Sequence, residues 1–414
     1  MSREPSAASL VAEGVSRIAD AVGVVLLCWL GWRMFFVFDA ALQGRALLVG
    51  VIGTLACWTD RSAHKNAPLA MLVYVTVGLL SAAIHRWSAV ASPPESTWLS
   101  LFAPADHLAV MALFIYGAAY LLRTSSRLSW LVVLVVGSVG VLAAQVAFDR
   151  ASSAFVYVRG GTVSLPSVPQ WGGIHGTSLL LTLALPLALS VSAAGGSWWR
   201  LLAGTVLGSG LFLVAYFNGS KGGLIAMAVS GTATAVVAAL TRSGGRRRRL
   251  AAAGVLLIIA MGLTLAMLDR ASIESVQTLG FRTQIWRDSV KLSMENPWLG
   301  VGPGNFYAPI AGQSNAHNLI LHVGAEIGLF GALSLLVFMG WALRSCWRAW
   351  VRRCIPTISL GLLFALTGFL VHSISEDFLN ARAEVERTRA LVWMILAAVL
   401  ALQRLSSTGP GGRV

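Results

Sequence analysis

Asn318-Leu-Ile-Leu-His-Val-Gly-Ala-Glu-Ile-Gly-Leu-Phe-Gly-Ala-Leu-Ser-Leu-Leu-Val-Phe-Met-Gly-Trp-Ala-Leu343 decides the fold. Apolar residues run through it without the alternation of a half-buried strand, and it exceeds the ~20 residues a helix needs to cross hydrocarbon. Similar runs recur near 16–37, 45–58, 67–89, 107–122, 129–148, 174–194, 199–217, 222–240, 250–268, 356–372 and 390–403. The 414 residues are 56% hydrophobic and 12% charged, with a mean hydropathy of +0.74, which excludes an ordinary water-soluble domain. Continuous apolar runs favour helices over a β-barrel, whose strands alternate between lipid-facing and lumen-facing residues. The expectation is an all-α polytopic membrane protein, a single domain over 1–414 with about twelve spans. The first run follows a polar segment and lacks a small-residue cleavage site, so it reads as a retained helix.

Basic residues set the orientation. With both termini cytoplasmic, 18 of the 31 Lys and Arg residues fall in inside segments, including Arg123, Arg127, Arg200, Arg242, the run Arg246 to Arg249, and Arg344 to Arg353. The net charge of +14 then points to anionic lipid. A nucleic-acid partner is excluded, since the arginine run has no interleaved aromatics. Cys28, Cys57, Cys346 and Cys354 lie in helices or an inside loop and lack metal-ligand spacing, so they read as structural.

Three outside segments stand out by length: 90–106, 149–173 and 269–317. The first reads as a Pro- and Ser-rich loop. The last, between the ninth and tenth runs, is too long for bare loop, and it carries a helical pattern over Phe281–Met294. Phe281, Ile285 and Leu292 share one face there; Arg287, Lys291 and Glu295 share a polar one, with Arg282 beside the apolar side. Glu295-Asn-Pro-Trp-Leu-Gly-Val-Gly-Pro-Gly-Asn-Phe306 follows, dense in turn formers, and its Gly300, Gly302 and Gly304 lack the ending and the preceding strand of a phosphate loop. His317 stands where this segment meets the tenth run. It reads as a boundary base that titrates near neutral pH, or as a plain helix-cap residue. Gly328 and Gly331 would let that helix pack closely against a neighbour. His322 and Glu326, four residues apart and on a face largely opposite His317, read as a buried polar pair or a proton relay. His85, His107 and His372 read as boundary residues.

Four stretches resemble the O-antigen ligase / Wzy-type polymerase superfamily of bacterial inner-membrane glycosyltransferases. They are Arg159-Gly160; Asn218-Gly-Ser-Lys-Gly-Gly223; Arg282-x-x-x-Trp286 through Phe306; and His317-Asn318 with Gly328 and Gly331. Lys221 departs from the arginine of many relatives, and Gln170-Trp-Gly-Gly-Ile-His175 from a Pro-Asn pair. The resemblance implies a GT-C-like architecture in the inner membrane. It implies transfer of a glycan from undecaprenyl pyrophosphate to lipid A-core on the periplasmic face. A Wzy-type polymerase or a protein O-oligosaccharyltransferase shares these motifs, and a transporter is the rival from another class.

Glycosyl transfer needs a base for the acceptor hydroxyl and cations for the departing pyrophosphate. His317 suits the first task, with Asn318, Gly328 and Gly331 in support. Arg282, Lys221, Arg159 and Arg287 suit the second, since guanidinium grips phosphate through two parallel bonds and lysine supplies a point charge. Lys221 also opens a helix whose Gly222-Gly223 would expose backbone N–H groups to an anion. Snorkelling for Lys221 and a solvated loop position for Arg159 are the plain alternatives. No Asp-x-Asp or His-x-x-x-His pair lies outside, so neither metal nor cofactor is expected; inversion by single displacement is the simpler course, with Glu376-Asp377 the alternative carboxylate pair for a double displacement.

Overall fold

A computed structural model describes residues 7–36, 42–56, 69–89, 98–153, 173–194, 198–217, 220–241, 273–307, 315–376 and 386–407. Among them every regular element is a helix. They are α1 (Ala7–Phe36), α2 (Leu42–Ala56), α3 (Leu69–Ala89), α4 (Trp98–Leu121), α5 (Ser125–Ser153), α6 (Gly173–Ala194), α7 (Trp198–Phe217), α8 (Lys221–Leu240), α9 (Ile273–Glu295), α10 (Leu319–Val351), α11 (Pro356–His372) and α12 (Glu386–Ser407). Each expected apolar run falls on one of these except 250–268, which lies outside the described residues together with Arg159, Cys57 and the run Arg246 to Arg249.

By length and composition, four of the described helices can cross a membrane: Gly176–Ala193, Lys221–Ala238, Leu319–Val351 and Arg389–Ser407. The pair Leu108–Leu121 and Ser125–Val141, bent by 120°, makes a fifth if taken as one span. Residues 98–106 are not loop, as the sequence suggests, but the first turns of α4.

Packing follows side-chain size. Residues 389–402 of α12 are buried on every side, as expected for a helix apolar all round, and α12 packs against α4 and α10. Small residues bring other backbones together. A Cβ on Gly53 of α2 would sit 2.4 Å from the Gly117 carbonyl oxygen of α4. A Cβ on Gly368 of α11 would meet Thr182 of α6 at 2.7 Å and Ser230 of α8 at 2.9 Å. At one end, Arg123 and Arg127 both clasp the Asp20 carboxylate, at 2.7 and 2.9 Å. The described cysteines are unpaired, and burial pushes the Cys354 thiol up from its ordinary pKa, consistent with an inert structural role.

α10 is not the unbroken helix its apolar run suggests. Gly328 has φ 80° and ψ −173°, which splits it into two segments. That conformation is essentially reserved for glycine. A second, small core (Ile285, Phe306, Ala316 and Ala325, flanked by Leu292 and Leu321) ties α9 and the following loop to the first segment.

Candidate active site

The helix break explains the glycine-rich loop. Gly300, Gly302 and Gly304 all take positive φ (66°, 92° and 77°), so 296–306 turns tightly enough to lie along α10 at the break. There it satisfies the backbone groups that the break exposes. The Val301 N–H donates to the Ala325 carbonyl (2.8 Å), the Gly302 N–H to Glu326 (2.9 Å), and the Leu329 N–H to Pro297 (2.7 Å). The Ser81 hydroxyl of α3 donates to the Leu299 carbonyl. Contact is too close for side chains: a Cβ on Gly328 would lie 2.3 Å from the Trp298 carbonyl carbon, and one on Gly300 2.3 Å from that of Glu326. Gly328 therefore serves a loop-to-helix contact, whereas the sequence suggested helix-to-helix packing. Gly331 faces Ile327 of its own helix.

Beyond the loop the chain returns at Asn315. The Asn315 side chain accepts the His317 N–H (2.8 Å), and the Trp286 indole donates to the Ala316 carbonyl (3.1 Å). His317 sits at φ 48°, a left-handed conformation uncommon outside glycine and held here by its neighbours. It is not the helix cap. Asn318 is, its oxygen accepting the Leu321 N–H (3.1 Å) while its amide donates to the Ile374 carbonyl (3.0 Å). The Leu319 N–H donates to Ser373 (2.9 Å), so the start of α10 is stitched to the turn that ends α11.

That turn supplies Glu376, which the sequence offers beside Asp377 only as a carboxylate pair for a double displacement. Glu376 is 3% exposed and receives groups from both sides. Its Oε1 accepts from the Arg282 guanidinium (2.6 Å), and its Oε2 faces His317 Nδ1 at 3.0 Å. The second terminal nitrogen of Arg282 donates to the Ser375 carbonyl (2.7 Å). With Nδ1–H directed at the carboxylate, Nε2 is left as an acceptor, and the partly exposed ring can take a proton there. The neighbour of His317 is thus a carboxylate. The signal was available: Ser-Glu-Asp follows the apolar run 356–372 at the same end as His317.

Lys221 opens α8 against the same turn, since a Cβ on Gly222 would lie 2.0 Å from the Ser375 hydroxyl. The two glycines act differently from the expected anion cradle. The Gly223 N–H goes to the Ser220 side chain (3.2 Å), and the glycines let α8 approach Ser375 and Ser178. Arg287 is five residues beyond Arg282, about 140° round the helix. It lines an open groove of about 510 Å³ with Thr283, Trp286, Val290, Lys291 and Met294. Phe281 is exposed, and Asp288 and Ser289 are buried where the apolar face was expected to continue. His372, the last residue of α11, is buried.

Arg282, the glycine-rich loop, His317 and the break at Gly328 thus form one connected piece of protein. Residues 203–336 match the Wzy_C family, O-antigen ligase. No curated protein matches the chain. The Wzy_C match supports the O-antigen ligase / Wzy superfamily and a glycan-transfer role in the O-antigen pathway. With the apolar helices it supports a multi-pass membrane protein of lipopolysaccharide biosynthesis. The Wzy_C region contains Lys221, Arg282, His317, Gly328 and Gly331; Glu376 reaches it from 40 residues beyond its end.

Proposed function

We propose that the protein is an O-antigen ligase, transferring a glycan from undecaprenyl pyrophosphate to lipid A-core on the periplasmic face of the inner membrane. The observation that carries this reading is the Arg282–Glu376–His317 chain, joined at 2.6 and 3.0 Å within a site built largely from the Wzy_C region. His317 Nε2 takes the proton from a core-sugar hydroxyl as that oxygen attacks the anomeric carbon. The bond from that carbon to the pyrophosphate oxygen breaks, and undecaprenyl pyrophosphate leaves with the electron pair. Glu376 holds the imidazole in the accepting tautomer and stabilises its protonated form; general-base help of this kind contributes ~10²–10⁴-fold. Arg282 braces Glu376 first. Lys221, at the rim beside Ser375, is the cation best placed to face the pyrophosphate, with Arg159 as its candidate companion. The reaction inverts the anomeric carbon and runs without metal, through about twelve spans of GT-C-like arrangement with both termini cytoplasmic.

The transporter reading loses support at the helix break. A broken helix serves transport by offering its freed backbone groups to an ion or substrate. Here the Ala325 and Glu326 carbonyls and the Leu329 N–H are already bonded to the loop. The test is reconstitution of purified protein with lipid-linked glycan and lipid A-core in detergent, without a gradient. Glycan-bearing lipid A-core is the expected product. Chain lengthening of the donor alone would make the protein a polymerase, and absence of any product would overturn the proposal.

A further inference from the structure

Beneath the glycine-rich loop lies a buried ionisable pair that the proposed chemistry does not use. Glu326 and His322 sit one turn apart on the first segment of α10, 6% and 3% exposed. A single oxygen of Glu326 gathers three contacts. Its Oε1 accepts the Gly304 N–H (2.9 Å) and the Phe306 N–H (3.4 Å), and lies 3.2 Å from His322 Nε2. On the other edge of the ring, His322 Nδ1 accepts the Ala316 N–H (3.4 Å). Because Nδ1 accepts, Nε2 carries the ring proton, 3.2 Å from the carboxylate oxygen. The ring also packs against Phe306, centroids 5.1 Å apart. Although these residues were expected on a face largely opposite His317, the chain curls back so that His322 grips the residue immediately before it.

We propose that Glu326 and His322 are positioning residues: a latch that fastens the end of the glycine-rich loop and the 315–317 segment to α10, and so fixes where His317 stands. This rests on His317 being the base of the transfer reaction. The latch must hold His317 in a left-handed conformation at φ 48°, which a free segment would leave. It passes no proton to the reaction. The distinction shows in what a glutamine does. Both loop N–H groups donate to one oxygen and His322 Nε2 lies 3.2 Å from it, so an amide presenting its carbonyl there keeps all three neighbours. A proton relay needs the carboxylate itself.

The experiment measures kcat and KM for donor and acceptor in the reconstituted wild-type protein and in Glu326→Gln, Glu326→Ala and His322→Phe. Amide exchange is followed over 302–306, over 315–317 and in α12. Glu326→Gln is expected within about fivefold of wild type, the loss from exchanging a charged acceptor for a neutral one. Glu326→Ala and His322→Phe should lower kcat by about 10²-fold, as a misplaced catalytic group does, with KM nearly unchanged. Both should speed exchange over 302–306 and 315–317 while α12 stays protected. Glu326→Gln as inactive as Glu326→Ala, with wild-type exchange, would make the pair a relay and overturn the latch. So would full activity of Glu326→Ala. If Glu326→Ala loses protection throughout, Glu326→Gln alone decides: near-normal activity supports the latch and inactivity refutes it. A wild type that makes no product tells against the ligase proposal, and the exchange pattern still reads the latch.

Discussion

Replacing Gly328 by alanine tests the helix break in a way the structure lets us size. The backbone there, at φ 80° and ψ −173°, costs any other residue about 1–3 kcal/mol. The added Cβ would also meet the Trp298 carbonyl carbon and oxygen at 2.3 Å and the Leu299 nitrogen at 2.5 Å, all backbone. Relief by moving the loop sacrifices the hydrogen bonds to Pro297, Ala325 and Glu326, each about 1 kcal/mol net. The penalty is therefore on the order of 4–6 kcal/mol, taken up locally as undocking of the loop. At 1.4 kcal/mol per tenfold, that shifts the docking equilibrium by about 10³ or more. Gly340→Ala in the same helix is the control: nothing lies within 4 Å of its Cβ, and alanine there should be neutral or stabilising by up to about 1 kcal/mol. Amide exchange over 296–306 and transfer activity report both variants. Wild-type exchange and activity in Gly328→Ala would refute the reasoning, because the break would then have no structural need of glycine.

His317→Ala should lower transfer by ~10²–10⁴-fold with expression and melting temperature unchanged, and a variant keeping a tenth of wild-type rate would remove its role as base. Glu376→Gln should cost about as much, because its amide would donate to Nδ1 and leave Nε2 carrying the proton; a pH–rate profile of unchanged height would contradict this. Arg282→Lys should be nearly as damaging as Arg282→Ala, since one ammonium cannot span Ser375 and Glu376, whereas Lys221→Arg should be tolerated; steady-state rates separate the two. Transfer should continue in excess EDTA, as cations on the chain stand where other enzymes use a metal, and loss of activity restored by Mg²⁺ or Mn²⁺ would overturn this.

Among the described residues helix character was legible wherever apolar residues ran on, and α9 was legible from its 3.6-residue spacing. Arg282, His317 and Asn318 stood out because charged and polar residues are scarce in so apolar a chain. The break at Gly328 was hidden, because a glycine inside an apolar run reads equally as close packing and as a discontinuity. What decides between them is the loop of Pro297 to Gly302, whose docking is a tertiary event. The role of Glu376 was hidden for a similar reason. A Glu-Asp pair after a helix shows no partner until α11 brings Glu376 beside the start of α10, 59 residues earlier in the chain. The shared oxygen of Glu326 likewise depends on N–H groups that sequence spacing does not locate.

The stitch between Leu319 and Ser373, with Glu376 just beyond it, bears on biogenesis. A nascent chain that has delivered α1 through α10 to the bilayer already holds Lys221, Arg282 and His317, yet lacks the carboxylate that orients the histidine. The turn after α11 must be synthesised, inserted and folded back before Arg282 finds Ser375 and Glu376. Competence thus arrives late, after the first residues of the site are already in place.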